Sequence, residues 1–108
     1  MARKKLETLT EQMYYVLLAL SQDTLHGYGI MQSVSQLTKG RVVIGAGTLY
    51  ALLARFEEEK LILLTDNKEG RKYYTLTPEG RQALENEFER LRNLVADGEQ
   101  FLKGATQK

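Results

Sequence analysis

The residues whose types and spacing bear on chemistry lie between Gly47 and Lys72. In the segment 46–56, Leu49, Leu52, Leu53 and Phe56 recur at the i, i+3, i+4, i+7 spacing of a buried helix face. The other face carries Thr48, Ala51 and Arg55 with Tyr50 and Ala54 beside it, and neither lysine nor acid interrupts it before Glu57. Small and hydrogen-bonding groups on an exposed helix face suit base-pair edges in a DNA major groove. Downstream, Gly70 is followed by Arg71 and Lys72, a basic pair just past a turn that suits phosphate or minor-groove contact. Lys39, Arg41 and Lys68 extend the basic set, and Gly47 opens the helix. Each has a plainer alternative: Tyr50 as a surface aromatic beside Leu49 and Leu53, Arg71 and Lys72 as edge-strand gatekeepers. His26 reads first as a helix-start residue packed under its helix, and second as a group steering phosphate to that helix N-terminus.

Catalytic chemistry finds little to use. The chain has one histidine and no cysteine, and Ser21, Ser33 and Ser35 lack a triad context. Gly27-x-Gly29 and Gly45-x-Gly47 lack the third glycine and the preceding buried strand of a dinucleotide loop. No enzymatic activity, cofactor or metal site is expected.

The elements that must position these residues can be read in order. Thr8 or Thr10 caps a first helix running to about Asp23, with Thr8-x-x-Glu11 as a capping box. That helix is apolar nearly all round and calls for burial on more than one side. His26-Gly27-Tyr28-Gly29 opens a second helix through about Leu37, which Lys39-Gly40 ends. The β-branched run Val42-Val43-Ile44 is expected to pair as a third strand beside a hairpin, and Gly45 to cap the third helix. Strands Leu61 to Asp66 and Arg71 to Leu76 flank the turn Asn67-Lys68-Glu69-Gly70. Thr77-Pro78-Glu79 then starts a long final helix.

In that helix Leu84, Phe88, Leu91, Val95, Gly98, Leu102 and Ala105 alternate by four and three, a heptad seam that Gly98 weakens. Extending from Pro78 to about Gly104, it would measure ~40 Å, against a radius of gyration near ~13 Å for a compact body of this size. Its far end must leave the domain, and an apolar stripe in water marks an interface. A twofold homodimer follows, with Met13, Leu17, Leu84, Phe88, Leu91, Val95 and Leu102 at the interface. Met13, Tyr14, Leu91 and Val95 form a candidate effector pocket at its centre. Core packing explains those four equally well.

Composition limits the setting. The 108 residues suffice for one fold unit, and their formal net charge of +1 is low for a nucleic-acid binder. Distribution matters more: residues 1 to 56 carry six Lys or Arg against three Asp or Glu, and residues 57 to 108 nine against eleven. The absence of cysteine suits a reducing compartment, and no apolar run approaches the ~20 residues of a membrane span. Met-Ala-Arg-Lys-Lys leads into no apolar stretch, so the expectation is a cytoplasmic protein without membrane contact.

Four segments then match a known family in order and spacing: His26-Gly27-Tyr28-Gly29-Ile30, the run Gly47 to Glu57, Leu61-Ile62, and Gly70-Arg71-Lys72-Tyr73-Tyr74-Thr75-Leu76-Thr77-Pro78-Glu79-Gly80. Across nearly its whole length the chain resembles the PadR family of bacterial transcriptional regulators, in the short form with a single C-terminal dimerisation helix. The resemblance implies a dimeric winged-helix repressor on a near-palindromic operator, released in some members by phenolic acids or drug-like compounds. It also implies that Tyr50 lies near the DNA backbone. Two departures stand out. Many relatives close the third helix with glycine where this chain has Lys60, so a left-handed cap there would be strained by roughly 1 kcal/mol. Drug-binding relatives carry a tryptophan where Leu91 stands, so multidrug sensing does not carry over.

The expected architecture is α+β, mostly α: a winged helix-turn-helix in residues 1–76 and a dimerisation helix in residues 77–108. The expected function is a homodimeric repressor with double-stranded DNA, a second copy of itself and a small aromatic or drug-like effector as partners. The alternative is a winged-helix protein-interaction or dimerisation module without specific DNA binding.

Overall fold

Thr10 settles where the first helix begins. Its side chain accepts the Met13 N–H at 3.2 Å, so it caps α1 (Glu11–Gln22), and the box starting at Thr8 is not the one used. The computed structural model describes residues 8–103, with the backbone alone for 66–68 and 103. Ala105 of the expected seam and the side chain of Lys68 lie outside that description. The order of elements is α1, β1 (Leu25–His26), α2 (Gly27–Leu37), α3 (Ala46–Glu58), β2 (Ile62–Lys68), β3 (Arg71–Leu76), α4 (Pro78–Gly98) and a π-helical turn (Glu99–Lys103). It is an α+β fold, mostly helical, with a small antiparallel sheet forming a wing and a long C-terminal helix.

The apolar faces meet in one core. Val16, Leu17 and Leu20 of α1, Ile30 and Val34 of α2, and Leu49, Leu53 and Phe56 of α3 are buried together with Ile44, Ile62, Tyr74 and Leu84. Burial of α1 on several sides follows from its all-round apolar character. It also corrects one expectation: Leu17 has no exposed surface and Leu84 has 7%, so both are core residues of a single protomer.

The sheet corrects another. Its third strand is Leu25–His26, paired antiparallel to β3 through Leu25 with Tyr74 and His26 with Tyr73. Val42-Val43-Ile44 forms no strand. Val42 and Ile44 are buried and Val43 is 68% exposed, so the alternation serves core contact. The backbone there is held by Thr38, whose hydroxyl receives the Val42 N–H at 3.0 Å and donates to the Val34 carbonyl at 2.9 Å. A segment tied to a helix end in this way is not free to join a ladder.

The hairpin is longer than expected and its turn tighter. Lys68 pairs with Arg71 and Asn67 with Lys72, leaving Glu69-Gly70 as a two-residue turn, with an irregularity between Leu64 and Asp66. Both turn residues have positive φ, 54° and 76°, the pattern that matches the twist of the flanking strands.

The junctions are built from helix caps. The Leu61 N–H reaches the Phe56 carbonyl and the Lys60 N–H the Glu57 carbonyl, with Lys60 left-handed at φ 63°. This is a Schellman closure of α3 with lysine in the glycine position. Thr77 then caps α4, accepting the Gly80 N–H at 2.9 Å and donating to the Lys60 carbonyl at 2.8 Å. The start of α4 is thereby fastened to the end of α3, which fixes wing, reading helix and long helix relative to one another.

Candidate nucleic-acid interface

The reading helix begins without side-chain competition. Gly45 caps α3 with no side-chain hydrogen bond, and no acid occupies the first turn. Gly45, Ala46, Gly47 and Thr48 are all exposed, and a Cβ on Gly47 would meet nothing within 4 Å. An open helix N-terminus carries N–H donors and a positive dipole end, both favourable for phosphate. Ala51 and Ala54 continue the exposed face, and Tyr50 stands beside it with 54% of its surface free.

Arg55 departs from the expected role. Its guanidinium nitrogen Nε lies 3.2 Å from Glu59 Oε2, one turn on, and the side chain is only 25% exposed. The i,i+4 pair directs it along α3 toward the wing side, so it acts first within the helix.

A cleft of about 360 Å³ joins the start of α2, the middle of α3 and the wing, lined by His26, Gly27, Tyr28, Tyr50, Gly70, Arg71, Lys72 and Tyr74. No acidic side chain lines it. Arg71 Nη1 lies 3.0 Å from His26 Nε2, and His26 Nδ1 accepts the Gly29 N–H at 3.0 Å as the cap of α2. The imidazole meets Tyr73 edge-on at 5.1 Å and stacks with Tyr28 at 6.5 Å between centroids. Burial pushes the Tyr74 phenol up, aided by Glu57 and Tyr50, keeping it a neutral floor for the cleft.

The structure therefore brings Tyr50, Arg71 and Lys72 to one place, with Gly47, Thr48 and Ala51 on the adjoining helix face. Lys39 and Arg41 are exposed in the loop between α2 and α3, where Lys39 takes a left-handed φ of 54°. The Lys68 backbone ends β2 at the wing tip. His26 and Tyr28 join the cleft too. Nothing in the spacing points to Tyr28, while the position of His26 at a helix start was the one signal available.

The other expected surface lies along α4. Phe88, Leu94 and Val95 are about half exposed or more, and Phe101 and Leu102 are about three-quarters exposed. A groove of about 410 Å³ gathers Tyr14, Phe88, Leu91, Arg92, Val95, Ala96 and Glu99. Met13 is absent from it and packs instead, half-buried, against the core. Beyond Gly98 the π-helical turn changes the angular step of successive side chains, so Leu102 does not continue the α-helical line of Leu91 and Val95. Beside the groove, Glu87 is 3% exposed and accepts the Leu9 N–H at 3.2 Å and Arg90 Nε at 3.2 Å. Arg90, and secondarily the Leu9 N–H, hold its carboxyl below the usual carboxylate range against the opposing pull of burial. Among the described residues no group of three or more His, Cys, Asp or Glu could hold a metal ion, and no helix is long and apolar enough to cross a membrane.

Comparisons with known proteins agree with this arrangement. The sequence model of the transcriptional regulator PadR-like family matches residues 16–86. The transcriptional regulator YqjI of Escherichia coli is 33% identical over 72 residues, covering 67% of this chain and 35% of that protein. The chain spans about a third or less of the length of the curated relatives it matches. Among solved structures, a transcriptional regulator from Clostridium thermocellum superposes with a TM-score of 0.75 at 27% identity, covering 83% of this chain and 91% of that one. Bacillus subtilis PadR, solved in complex with operator DNA, superposes with a TM-score of 0.64 at 25% identity, covering 71% of this chain and 46% of that one.

Proposed function

Because the chain belongs to the PadR-like family of transcriptional regulators, we propose that it is a homodimeric repressor binding a near-palindromic operator. Residues 1–76 carry the DNA contact, and residues 77–108 carry the dimer. The observation that supports this reading best is the junction of the acid-free cleft, with Arg71 and Lys72, and the small exposed face of α3. One supplies charge for the backbone and the other supplies access to base edges. The Bacillus subtilis relative, solved with operator DNA, supports the same role.

Dimerisation is the natural cover for α4. Its exposed apolar groups, from Phe88 to Leu102, form a patch too extended for a lone protomer to leave in water. Two reading helices related by a twofold axis would address half-sites about 34 Å apart, or a multiple of one helical turn. Tyr14, Leu91 and Val95 line the groove on that face, and a small aromatic or drug-like effector bound there would act on the dimer geometry. No catalytic role enters this reading, and its setting is the cytoplasm.

Selection of bound fragments from the protein's own genome, with affinity measured across a salt series, tests the proposal. Recovery of a common inverted repeat at near-physiological salt supports it. A protein that dimerises yet binds no duplex even at low salt is instead a winged-helix interaction module.

A further inference from the structure

His26 presents a donor to the cleft that its packing does not explain. Nδ1 accepts the Gly29 N–H, so the ring is neutral and its single proton resides on Nε2. Nε2 in turn faces Arg71 Nη1 at 3.0 Å, and a guanidinium offers only N–H donors. Two donors therefore stand side by side and aim at the same space, with Lys72 and the Tyr50 phenol on the same walls and no carboxylate among them. Such a set is complementary to one thing: an oxyanion that accepts from several directions at once.

Resting on the DNA-binding reading, we propose that His26 is a DNA-contacting residue, its Nε2–H and the Arg71 guanidinium gripping one backbone phosphate between the start of α2 and the wing. The Gly29 cap is what selects the tautomer, so the same ring both starts α2 and presents a directed neutral donor. The edge-on contact with Tyr73 fixes the plane of the ring, and Tyr73 is on the strand that carries Arg71. His26 and Arg71 are thus held in register by one strand. A phosphate on the pair ties α2 to the wing, which explains why the basic pair sits at the base of the wing, beside the helix start.

The test separates capping from contact. His26→Asn keeps a side-chain acceptor suited to capping the Gly29 N–H but lacks the reach of Nε2, and His26→Ser serves the same purpose if the first variant fails to fold. Fluorescence anisotropy with a 30-bp duplex of mixed sequence, at several salt concentrations, reads the outcome. Affinity is expected to fall roughly tenfold with an unchanged salt slope, since a neutral donor displaces no counterion. Arg71→Ala should lower the slope, and the double variant should lose less than the product of the two effects, because both act on one phosphate. A folded cap-retaining variant that binds as tightly as the wild type overturns the assignment, as does strict additivity with Arg71→Ala. Failure of the wild type itself to bind duplex at low salt overturns the DNA-binding reading beneath it.

Discussion

The phenol of Tyr50 lies against the backbone of Gly27 so closely that a Cβ on Gly27 would come within 2.7 Å of its hydroxyl. The contact joins the reading helix to the start of α2 and holds Tyr50 on the wall of the acid-free cleft. Gly27→Ala should therefore act on Tyr50 before it acts on the fold. The obstructing atoms are the outer end of a half-exposed side chain that can rotate away, so stability should stay within about 0.5 kcal/mol of wild type. DNA affinity should fall by roughly five- to tenfold as the phenol leaves its place. Denaturant unfolding paired with a binding titration checks both halves, and an unchanged affinity would remove Tyr50 from the interface.

Gly80→Ala should give the opposite pattern. The new methyl would sit 2.1 Å from the Leu61 carbonyl oxygen and 2.7 Å from Leu76 Cδ1. The first of these is backbone, in the segment that the Thr77 cap fastens to α4, and it cannot swing aside. A loss of at least about 2 kcal/mol is expected, read as a lower urea midpoint with no specific effect on the cleft.

Much of this was legible because the signals were local. The caps at Gly45 and Thr77, the helix opening at His26 and the left-handed Lys60 each follow from a few adjacent residues and elementary backbone sterics. What escaped depended on distant partners. Leu25–His26 has two residues and no periodicity to detect, and becomes a strand only because β3 lies beside it. Val42 to Ile44 has the composition of a strand, but the Thr38 hydroxyl holds it elsewhere. Leu17 has the spacing of an interface residue, but the helix it belongs to is enclosed on that side too. Glu87 reads as one more acid on a solvated face, and its burial depends on Leu9, 78 positions away in sequence.

Glu87 gives a prediction in pH. Its folded carboxyl titrates below its ordinary value of 4.5, so the charged form is favoured by folding. That contribution is fully present above the ordinary value and is lost as pH falls through the lower, folded one. Glu87→Gln should destabilise the protein at neutral pH by roughly 1 to 3 kcal/mol, the range for hydrogen bonds to a charged group. The gap between variant and wild type should close below about pH 4. Thermal unfolding of both proteins across pH 3 to 7 decides it, and a gap independent of pH would mean that the carboxylate charge is not what matters.

Leu91→Glu tests the dimer. Leu91 lines the α4 groove with Tyr14 and Val95, and a twofold interface there would bring two new carboxylates into an apolar setting at a cost of several kcal/mol. The expected result is a folded monomer, or loss of fold, where the wild type sediments as a dimer at micromolar concentration. A variant that remains a stable dimer places the interface elsewhere, and a folded wild-type monomer of 12.3 kDa removes it altogether.

The wing pair separates a repressor from an interaction module. Arg71 and Lys72 are both exposed at the mouth of a cleft without acids, so each is placed to neutralise a phosphate. In a dimer, the double variant Arg71→Ala, Lys72→Ala removes four cationic contacts. Affinity should fall for all sequences alike, and the slope of log affinity against log salt should shrink by roughly 3 to 4, since each neutralised phosphate contributes about 0.9. Thr48→Ala, on the exposed face of α3, should instead lower preference for the operator by about 1 kcal/mol if its hydroxyl meets a base edge, with the salt slope unchanged. The two variants thus dissect one interface along different axes, charge at the wing and sequence at the helix. Unchanged affinity and salt slope in the double variant would leave the cleft without a role in DNA binding, because Arg55, the nearest other cation on α3, is turned toward Glu59.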